Sequence, residues 1–129
     1  MKAILFVDDH EVLARLSCEI LRMQGYRADY AYSANDALAK FKPGKYQMLV
    51  TDLRMEDMDG LELVQEIRRQ SPRLPVVIVT GFAPAEQSGD EDCVWLEKHH
   101  LFPALLDKIR EMIGEPDGVN LPKETLQSA

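Results

Sequence analysis

Residues 3–7 read Ala-Ile-Leu-Phe-Val, and this apolar run ends at the acidic pair Asp8-Asp9. A short continuous apolar run with a polar stop is typical of a strand that is buried on both faces of a parallel sheet. Residues 48–50 and 76–79 form two more runs of the same kind. The sequence therefore predicts three central strands.

Two further segments have the mixed composition of edge strands. Residues 26–32 interleave Arg27 and Asp29 with aromatic residues, and residues 92–97 have a charged residue at each end. Between the five segments the apolar residues are spaced as in helices, so strands and helices alternate along the chain. With the polar strands at the edges, we predict an α/β fold with a doubly wound, five-stranded parallel sheet in the flavodoxin-like order 2-1-3-4-5.

Four helices are predicted from apolar residues spaced three and four apart. The residues expected to face the core are, helix by helix, Val12, Leu13, Leu16, Ile20 and Met23; Ala37, Leu38 and Phe41; Leu61, Val64 and Ile67; and Leu101, Leu105, Ile109 and Met112. Gly25 is expected to end the first helix, and Ser33 to cap the start of the second. Pro103 fits only in the first turn of the last helix.

Two segments are predicted to be irregular. A doubly wound sheet needs a helix between its fourth and fifth strands, but residues 81–91 contain proline, serine and glycine and few helix formers. We therefore expect this fourth helix of the fold to be short or missing. Residues 114–129 contain Pro116, Gly118 and Pro122 and are expected to be a tail or the start of a linker, which leaves one domain over residues 1–113.

The charge balance and composition exclude several classes of protein. The 129 residues include 22 acidic and 15 basic side chains, a formal net charge of −7, so a nucleic-acid partner is not expected. No apolar run approaches the roughly 18 residues that a membrane span requires, and residues 3–7 are too few for a signal peptide. Cys18 and Cys93 form neither a CxxC pair nor a metal-binding spacing. We therefore expect a cytoplasmic protein with no membrane partner.

Three carboxylates are expected to meet where the predicted strand order reverses. In open parallel sheets ligands bind at the carboxyl ends of the strands at this point, which here lies between strands one and three. Asp8 and Asp9 follow strand one, and Asp52 follows strand three. Converging carboxylates repel one another unless a cation lies between them, and Mg²⁺ prefers oxygen ligands. The alternative for Asp9 is a plain capping role at the start of the first helix.

A hydroxyl and an ammonium group are expected at the same edge. Thr80 ends strand four, and Lys98 follows strand five. Such a donor and such a charge suit the peripheral oxygens of a transferred phosphoryl group. The alternatives are an ordinary β-branched strand residue for Thr80 and a solvated helix start for Lys98.

In combination these residues resemble the receiver domain of bacterial two-component response regulators, over residues 2 to about 113. The matching features are the pair Asp8-Asp9, the segment 52–60 (Asp-Leu-Arg-Met-Glu-Asp-Met-Asp-Gly), Thr80, Trp95 and Lys98. The resemblance implies a module of two-component signal transduction that accepts a phosphoryl group and then switches a protein-interaction face.

The resemblance also implies a role for each matching residue. Asp52 would be the phosphoacceptor and a ligand of Mg²⁺. Asp8, Asp9 and the backbone carbonyl of Arg54 would complete the protein ligands. Thr80 and Lys98 would bind phosphoryl oxygens, and Trp95 would be the aromatic residue that moves on switching. The alternative for Trp95 is simple packing under the final helix.

The partners and the catalytic scope follow from the same resemblance. The donor would be a histidine kinase or a histidine phosphotransfer protein, and the output partner is not named by the sequence. The chain would be no enzyme beyond self-catalysed phosphotransfer and autodephosphorylation. The face beside strand five usually dimerises or meets the output partner, which leaves a homodimer open.

Three departures from the family pattern bear on these roles. Glu56 stands where the family usually has proline, and we expect it to change loop rigidity or cation affinity. His99 replaces the proline that usually follows the lysine in a cis peptide bond. A cis bond before a residue other than proline costs about 3–4 kcal/mol, so we predict a trans or a strained cis 98–99 bond. Thr80 and Lys98 are 18 residues apart, about one helical turn less than usual.

Two other functions remain open from the sequence. Glu56, His99 and the shortened segment fit a receiver-like docking module that works without phosphorylation. A Mg²⁺-dependent phosphohydrolase with an aspartate nucleophile is the remote alternative. Such enzymes need a second Asp two residues after the nucleophile, and Arg54 stands there.

Overall fold

The structure is a computed structural model that describes residues 2–81, 92–98 and 101–116. The strands are β1 (Ala3–Val7), β2 (Arg27–Ala31), β3 (Met48–Asp52), β4 (Val76–Thr80) and β5 (Cys93–Glu97). The helices are α1 (Glu11–Met23), α2 (Ala34–Lys40), α3 (Gly60–Gln70) and α4 (Leu101–Ile113). Among the described residues, no helix has both the length and the apolar character needed to cross a lipid bilayer.

The five strands form one parallel sheet in the order β2-β1-β3-β4-β5, as predicted. Every residue of β1, β3 and β4 is buried, whereas β2 and β5 contain partly exposed residues. The apolar runs therefore identified the central strands correctly, and the charged segments identified the edges. The sheet order places the carboxyl ends of β1 and β3 side by side.

Both faces of the sheet are covered, because alternate residues of each strand enter different clusters. Leu5 and Val7 of β1 pack with residues of α2 and α3. Ile4 and Phe6 pack on the opposite side with residues of α1 and α4. β1 pairs with β2 on one side and with β3 on the other, and these two sets of backbone hydrogen bonds fix its register. The strand ends are thereby held in place.

The buried face of α1 differs from the predicted one. Val12, Leu16 and Met23 were expected in the core, but they are 51%, 51% and 79% exposed. The buried residues of this helix are instead Ala14, Ser17, Cys18 and Leu21. Three of these four side chains are small, which allows the helix to lie close to the sheet. The other two predicted residues, Leu13 and Ile20, are partly buried, so the large apolar residues predicted the buried face of α1 only in part.

In α3 a similar shift affects one residue. Leu61 is 41% exposed, and Leu63 is buried together with the correctly predicted Val64 and Ile67. Ala37 of α2 and Phe41, which follows the end of α2, are buried, and Leu38 packs against the same core, as expected.

The ends of the helices follow local sequence signals. Gly25 follows Gln24, the C-cap of α1, and has a φ of 97°. The Ser33 hydroxyl accepts a hydrogen bond from the Asp36 N–H at the start of α2. Both predictions are confirmed. In α4, Phe102 has the extended angles φ −105° and ψ 133°. Pro103 excludes the helical conformation from the residue before it, so the regular helix begins only after Phe102.

Three sequence predictions lie outside the described residues. They are the short or missing fourth helix in residues 82–91, the conformation of the 98–99 peptide bond, and the irregular tail beyond residue 116. The described chain leaves 12 residues between the end of β4 at Thr80 and the start of β5 at Cys93.

Candidate functional site

Three carboxylates meet at the carboxyl ends of β1 and β3. Asp8 and Asp9 follow β1 directly, and Asp52 is the last residue of β3. One oxygen atom from each residue can be chosen so that all lie within 4.8 Å of one another. Asp8 and Asp52 are 3% and 7% exposed, whereas Asp9 is exposed. The convergence predicted from the strand order is therefore present.

The capping alternative for Asp9 is wrong. The N-cap of α1 is His10, whose Nδ1 accepts a hydrogen bond of 3.3 Å from the Leu13 N–H. The His10 N–H in turn donates to Oδ1 of Asp8 at 2.9 Å. The start of α1 thus orients Asp8, and Asp9 lies in the carboxylate cluster.

Lys98 lies against two of the three carboxylates. Its Nζ is 3.0 Å from Oδ2 of Asp52 and 3.9 Å from Oδ2 of Asp8. Burial alone would lower the pKa of Lys98, but the hydrogen bond and charge of Asp52, with smaller contributions from the other two carboxylates, outweigh burial and raise it. Lys98 is thus in contact with the carboxylates, and its side chain is 38% exposed.

The cluster has an excess of negative charge. Burial raises the pKa of Asp8, against the opposing effects of the His10 N–H and Lys98. One ammonium group cannot balance three carboxylates held within a few ångströms. A hard divalent cation fits this set of oxygen atoms, because it neutralises the charge and accepts carboxylate ligands together with water.

Thr80 and Trp95 lie where the sheet order predicts them. Thr80 ends β4, is 8% exposed, and is paired with Glu97 of β5. Trp95 is paired with Ile78 and is partly buried. It packs against the cluster formed with α2 and α3, whereas α4 covers the other face. The alternative that Trp95 packs under the final helix is therefore wrong.

The loop of residues 53–59 is closed at its two ends. The Leu53 N–H donates to the Val79 carbonyl at 2.9 Å, and the Gly60 N–H donates to the Leu53 carbonyl at 2.7 Å. A Cβ atom on Gly60 would lie 2.4 Å from the Asp52 carbonyl oxygen, so only glycine fits there. Arg54 is exposed within this loop, two residues after Asp52.

A separate cavity of about 350 Å³ contains none of the cluster residues. Its lining residues are Arg22, Asp29, Tyr30, Lys40, Lys45 and Tyr46. The Tyr46 hydroxyl donates to Asp29 at 2.6 Å, and Nζ of Lys40 donates to the Tyr30 carbonyl at 2.6 Å. Four of the six lining residues are thus paired with one another by hydrogen bonds, and the carboxylate cluster remains the candidate site.

Sequence reasoning missed two residues at the site. His10 was not expected to cap α1, and Asp57 was not expected to contact α2, where its carboxylate accepts two backbone hydrogen bonds. The residue type at His10 gave little signal, because histidine is not among the preferred N-cap residues. The contact of Asp57 joins residues more than 20 positions apart and has no local sequence signature.

A model of the response regulator receiver domain family matches residues 4–91. The chain belongs to this family. The receiver domain thus has the parallel five-stranded fold and the carboxylate cluster that its sequence predicted. It is a module of two-component signal transduction.

Curated relatives include regulators and sensor kinases. The transcriptional regulatory protein ZraR of Salmonella typhimurium is 30% identical over 110 residues, which are 85% of this chain and 25% of ZraR. The sensor histidine kinase RcsC of Salmonella typhi is 35% identical over 117 residues, which are 86% of this chain and 12% of RcsC. The receiver domain therefore spans only a small part of these relatives.

Two solved structures match this chain over nearly their whole length. The response regulator TrrA of Thermotoga maritima, in complex with Mg²⁺ and BeF, is 29% identical with a TM-score of 0.76, and the match covers 88% of this chain and 100% of TrrA. The chemotaxis protein CheY4 of Vibrio cholerae is 25% identical with a TM-score of 0.79, over 88% of this chain and 99% of CheY4.

Proposed function

We propose that this receiver domain accepts a phosphoryl group on Asp52. The observation that supports the proposal is the convergence of Asp8, Asp9 and Asp52 within 4.8 Å, with Lys98 in contact with Asp52. A carboxylate at a strand end is a nucleophile that can reach an incoming phosphorus atom. The domain extends over residues 1–113 in this proposal, and residues 114–129 are a tail or a linker start.

Mg²⁺ is the metal that we assign to the cluster. Asp8, Asp9 and Asp52 would hold it, with the backbone carbonyl of Arg54 as a fourth protein ligand. The oxygen-only donor set fits this ion, and the similar protein TrrA was solved with Mg²⁺ and BeF. When bound, the ion supplies charge neutralisation for the phosphoryl oxygens.

The transfer needs positioning more than covalent help. An oxygen of Asp52 forms a bond to phosphorus while the bond from phosphorus to the donor histidine nitrogen breaks, and the imidazole leaves with the electron pair. Nζ of Lys98, which lies 3.0 Å from Oδ2 of Asp52, then gives up this hydrogen bond and donates to a phosphoryl oxygen instead. Thr80 donates its hydroxyl to a second phosphoryl oxygen. Hydrolysis of the aspartyl phosphate returns the domain to its starting state.

The switch would use the neighbouring strand β5. If Thr80 moves toward the phosphoryl group, the space beside β4 changes, and Trp95 on β5 turns further inward. Trp95 is partly buried in this structure, so its side chain can become either more buried or more exposed. The altered protein-interaction face would lie along this edge of the sheet, where an output partner or a second copy of the chain binds.

The phosphoryl donor in this proposal is a histidine kinase or a histidine phosphotransfer protein. TrrA was solved in complex with the histidine kinase ThkA, and the match covers 88% of this chain. RcsC and the sensor protein EvgS of Escherichia coli are themselves sensor proteins with a matching segment. A cytoplasmic location is also part of the proposal.

Two alternatives are weaker than phosphoryl acceptance. A docking module without phosphorylation was motivated by Glu56, His99 and the shortened segment before β5, yet Nζ of Lys98 lies 3.0 Å from Oδ2 of Asp52. A phosphohydrolase of this kind needs a second Asp, as general acid, two residues after the nucleophile. Arg54 occupies that position with an exposed side chain and cannot act as this acid.

Incubation with Mg²⁺ and acetyl phosphate, followed by intact mass spectrometry, tests the proposal. We expect the wild type to gain the mass of one phosphoryl group and Asp52→Asn to gain none. Asp59→Asn is the matched control, because Asp59 is outside the cluster and asparagine is also a good N-cap for α3. It should be labelled like the wild type. A wild type that gains no mass, or an equal gain in Asp52→Asn, would contradict the proposal.

A further inference from the structure

The side chain of Asp57 joins the loop after β3 to the start of α2. Its Oδ1 accepts a hydrogen bond of 3.2 Å from the Ala34 N–H, and its Oδ2 accepts one of 2.8 Å from the Asn35 N–H. The first N–H groups of a helix have no partner within the helix. Asp57 therefore supplies partners for two of them from a distant part of the chain.

Ser33 supplies the partners for the next two N–H groups of α2. Its hydroxyl oxygen accepts from the Asp36 N–H at 3.0 Å, and its carbonyl oxygen accepts from the Ala37 N–H at 3.0 Å. The Ala37 bond is the first one of the helix itself, so three N–H groups that lack a partner within the helix are satisfied from outside it, one by the Ser33 hydroxyl and two by Asp57. The carboxylate of Asp57 has a defined place because both of its oxygen atoms are used.

The contact fixes the middle of the loop. The ends of the loop are held near Leu53 and Gly60 by backbone hydrogen bonds, and Met55 and Met58 pack against the core. Between residues 53 and 59 no proline restricts the backbone. The side chain of Asp57 connects the loop to α2 by two hydrogen bonds. In the sequence, Arg54 lies between Asp52 and Asp57.

We propose that Asp57 is a positioning residue for the metal site of this receiver domain. By tying the loop to α2, it sets the place of the Arg54 carbonyl relative to the three carboxylates. The inference rests on the proposed function, since that function assigns the carbonyl to the metal. Asp57 itself touches neither the metal nor the phosphoryl group.

Titration of the full chain with Mg²⁺ by isothermal calorimetry tests this role. We expect Asp57→Ala to weaken Mg²⁺ binding by about tenfold or more, which is the range seen when groups that orient metal ligands are removed. Asp57→Asn should lie between the wild type and Asp57→Ala, because one amide oxygen can still accept a hydrogen bond from the helix start.

Two matched controls separate the hydrogen bonds of Asp57 to α2 from the effects of losing a charge in the loop or a hydrogen bond at the start of α2. Glu56→Gln removes one negative charge from the neighbouring position, and the Glu56 side chain is exposed. Ser33→Ala removes a hydrogen bond from the start of α2 but leaves the loop tied. Ser33→Ala should change the affinity for Mg²⁺ by less than about threefold, the size of a small effect at an exposed position. Glu56→Gln measures the effect of losing one charge from the loop, and the loss in Asp57→Ala should exceed it.

Hydrogen exchange at the amides of Ala34 and Asn35 provides a readout that does not depend on metal. Their protection should fall in Asp57→Ala and remain in Glu56→Gln. The inference is overturned if Asp57→Ala binds Mg²⁺ as tightly as Glu56→Gln or Ser33→Ala does, or if the protection of the two amides is unchanged. Failure of the proposed function is distinct, because it appears as a wild type that takes up no phosphoryl group.

Discussion

At the scale of single residues, the site depends on charges that are partly compensated. Lys98 contacts Asp52 at 3.0 Å, and His10 holds Asp8 through its backbone N–H. These contacts leave the cluster with more negative than positive charge, which is the physical reason to expect a divalent cation there. The residue types and their strand-end positions were visible in the sequence. The pairing distances required the fold.

The charge state of Asp57 gives a prediction for stability against pH. Its slight burial would raise its pKa, but hydrogen bonds from backbone N–H groups, first those of Asn35 and Ala34 and then its own and that of Met58, together outweigh burial and hold the pKa below the ordinary value of 3.8. A carboxyl group with a lowered pKa in the folded state contributes stability above its unfolded pKa, and this contribution is lost as the pH falls through the folded pKa.

We therefore expect the wild type to be more stable than Asp57→Asn by a constant amount above about pH 5, with the difference shrinking below about pH 4. Urea unfolding of both proteins at several pH values measures this difference. Comparison of the two proteins cancels the titration of the other carboxylates. A difference that stays constant or grows in acid would contradict the assigned role of the Asp57 carboxylate.

At the scale of elements, the sequence predicted the strands better than the helix faces. The runs at β1, β3 and β4 are apolar throughout, and a strand covered on both faces needs no choice of side. A helix does need that choice, and α1 buries Ser17 and Cys18 while Leu16 is half exposed. Close packing on the sheet selects small side chains, which a pattern of large apolar residues cannot reveal.

Long-range polar contacts were also invisible in the sequence. Asp57 is one of several acidic residues in a loop, and nothing adjacent to it marks its contact with the start of α2. By contrast, the cluster of Asp8 and Asp52 was predictable, because parallel strands bring their carboxyl ends to one edge. The site could therefore be predicted from the sheet topology, whereas the conformation of the loop could not be predicted from the sequence.

The junction between β3 and α3 gives a prediction at this scale. Gly60→Ala places a methyl group 2.4 Å from the Asp52 carbonyl oxygen, so the backbone of the loop must move. We expect a loss of about 1–3 kcal/mol in the free energy of unfolding, as for an overpacked core position. The midpoint of urea unfolding at constant slope measures it.

Gly81→Ala is the matched control for this substitution. A Cβ atom at Gly81 meets nothing within 4 Å, and its side-chain position is exposed. Its effect should stay within about 0.5 kcal/mol. Equal losses for the two variants would show that the close approach of Gly60 to Asp52 is not what requires glycine.

At the scale of the whole molecule, the sheet connects the carboxylate cluster with its far edge. Asp52 ends β3, Thr80 ends the neighbouring β4, and Trp95 lies on the edge strand β5. A structural change at Asp52 on β3 therefore reaches the edge strand β5 through β4. Trp95 is the single tryptophan of the chain and reports on that edge.

Addition of Mg²⁺ and beryllofluoride should change the fluorescence of Trp95 in the wild type and leave Asp52→Asn unchanged. The reason is that an inward turn of the indole changes its exposure to water. Mg²⁺ with fluoride alone serves as the control for metal and salt effects. An unchanged spectrum, with adduct formation proven separately, would contradict the aromatic switch and leave the phosphoacceptor role intact.

The central claim is that Asp52 receives the phosphoryl group with the help of a metal held by its neighbours. Its most direct measurement is peptide mapping after reaction with acetyl phosphate and reduction by borohydride, which converts an aspartyl phosphate to homoserine. We expect homoserine at position 52 alone when Mg²⁺ is present, and none when the metal is chelated. Homoserine at another aspartate, or labelling that persists without metal, would contradict the account.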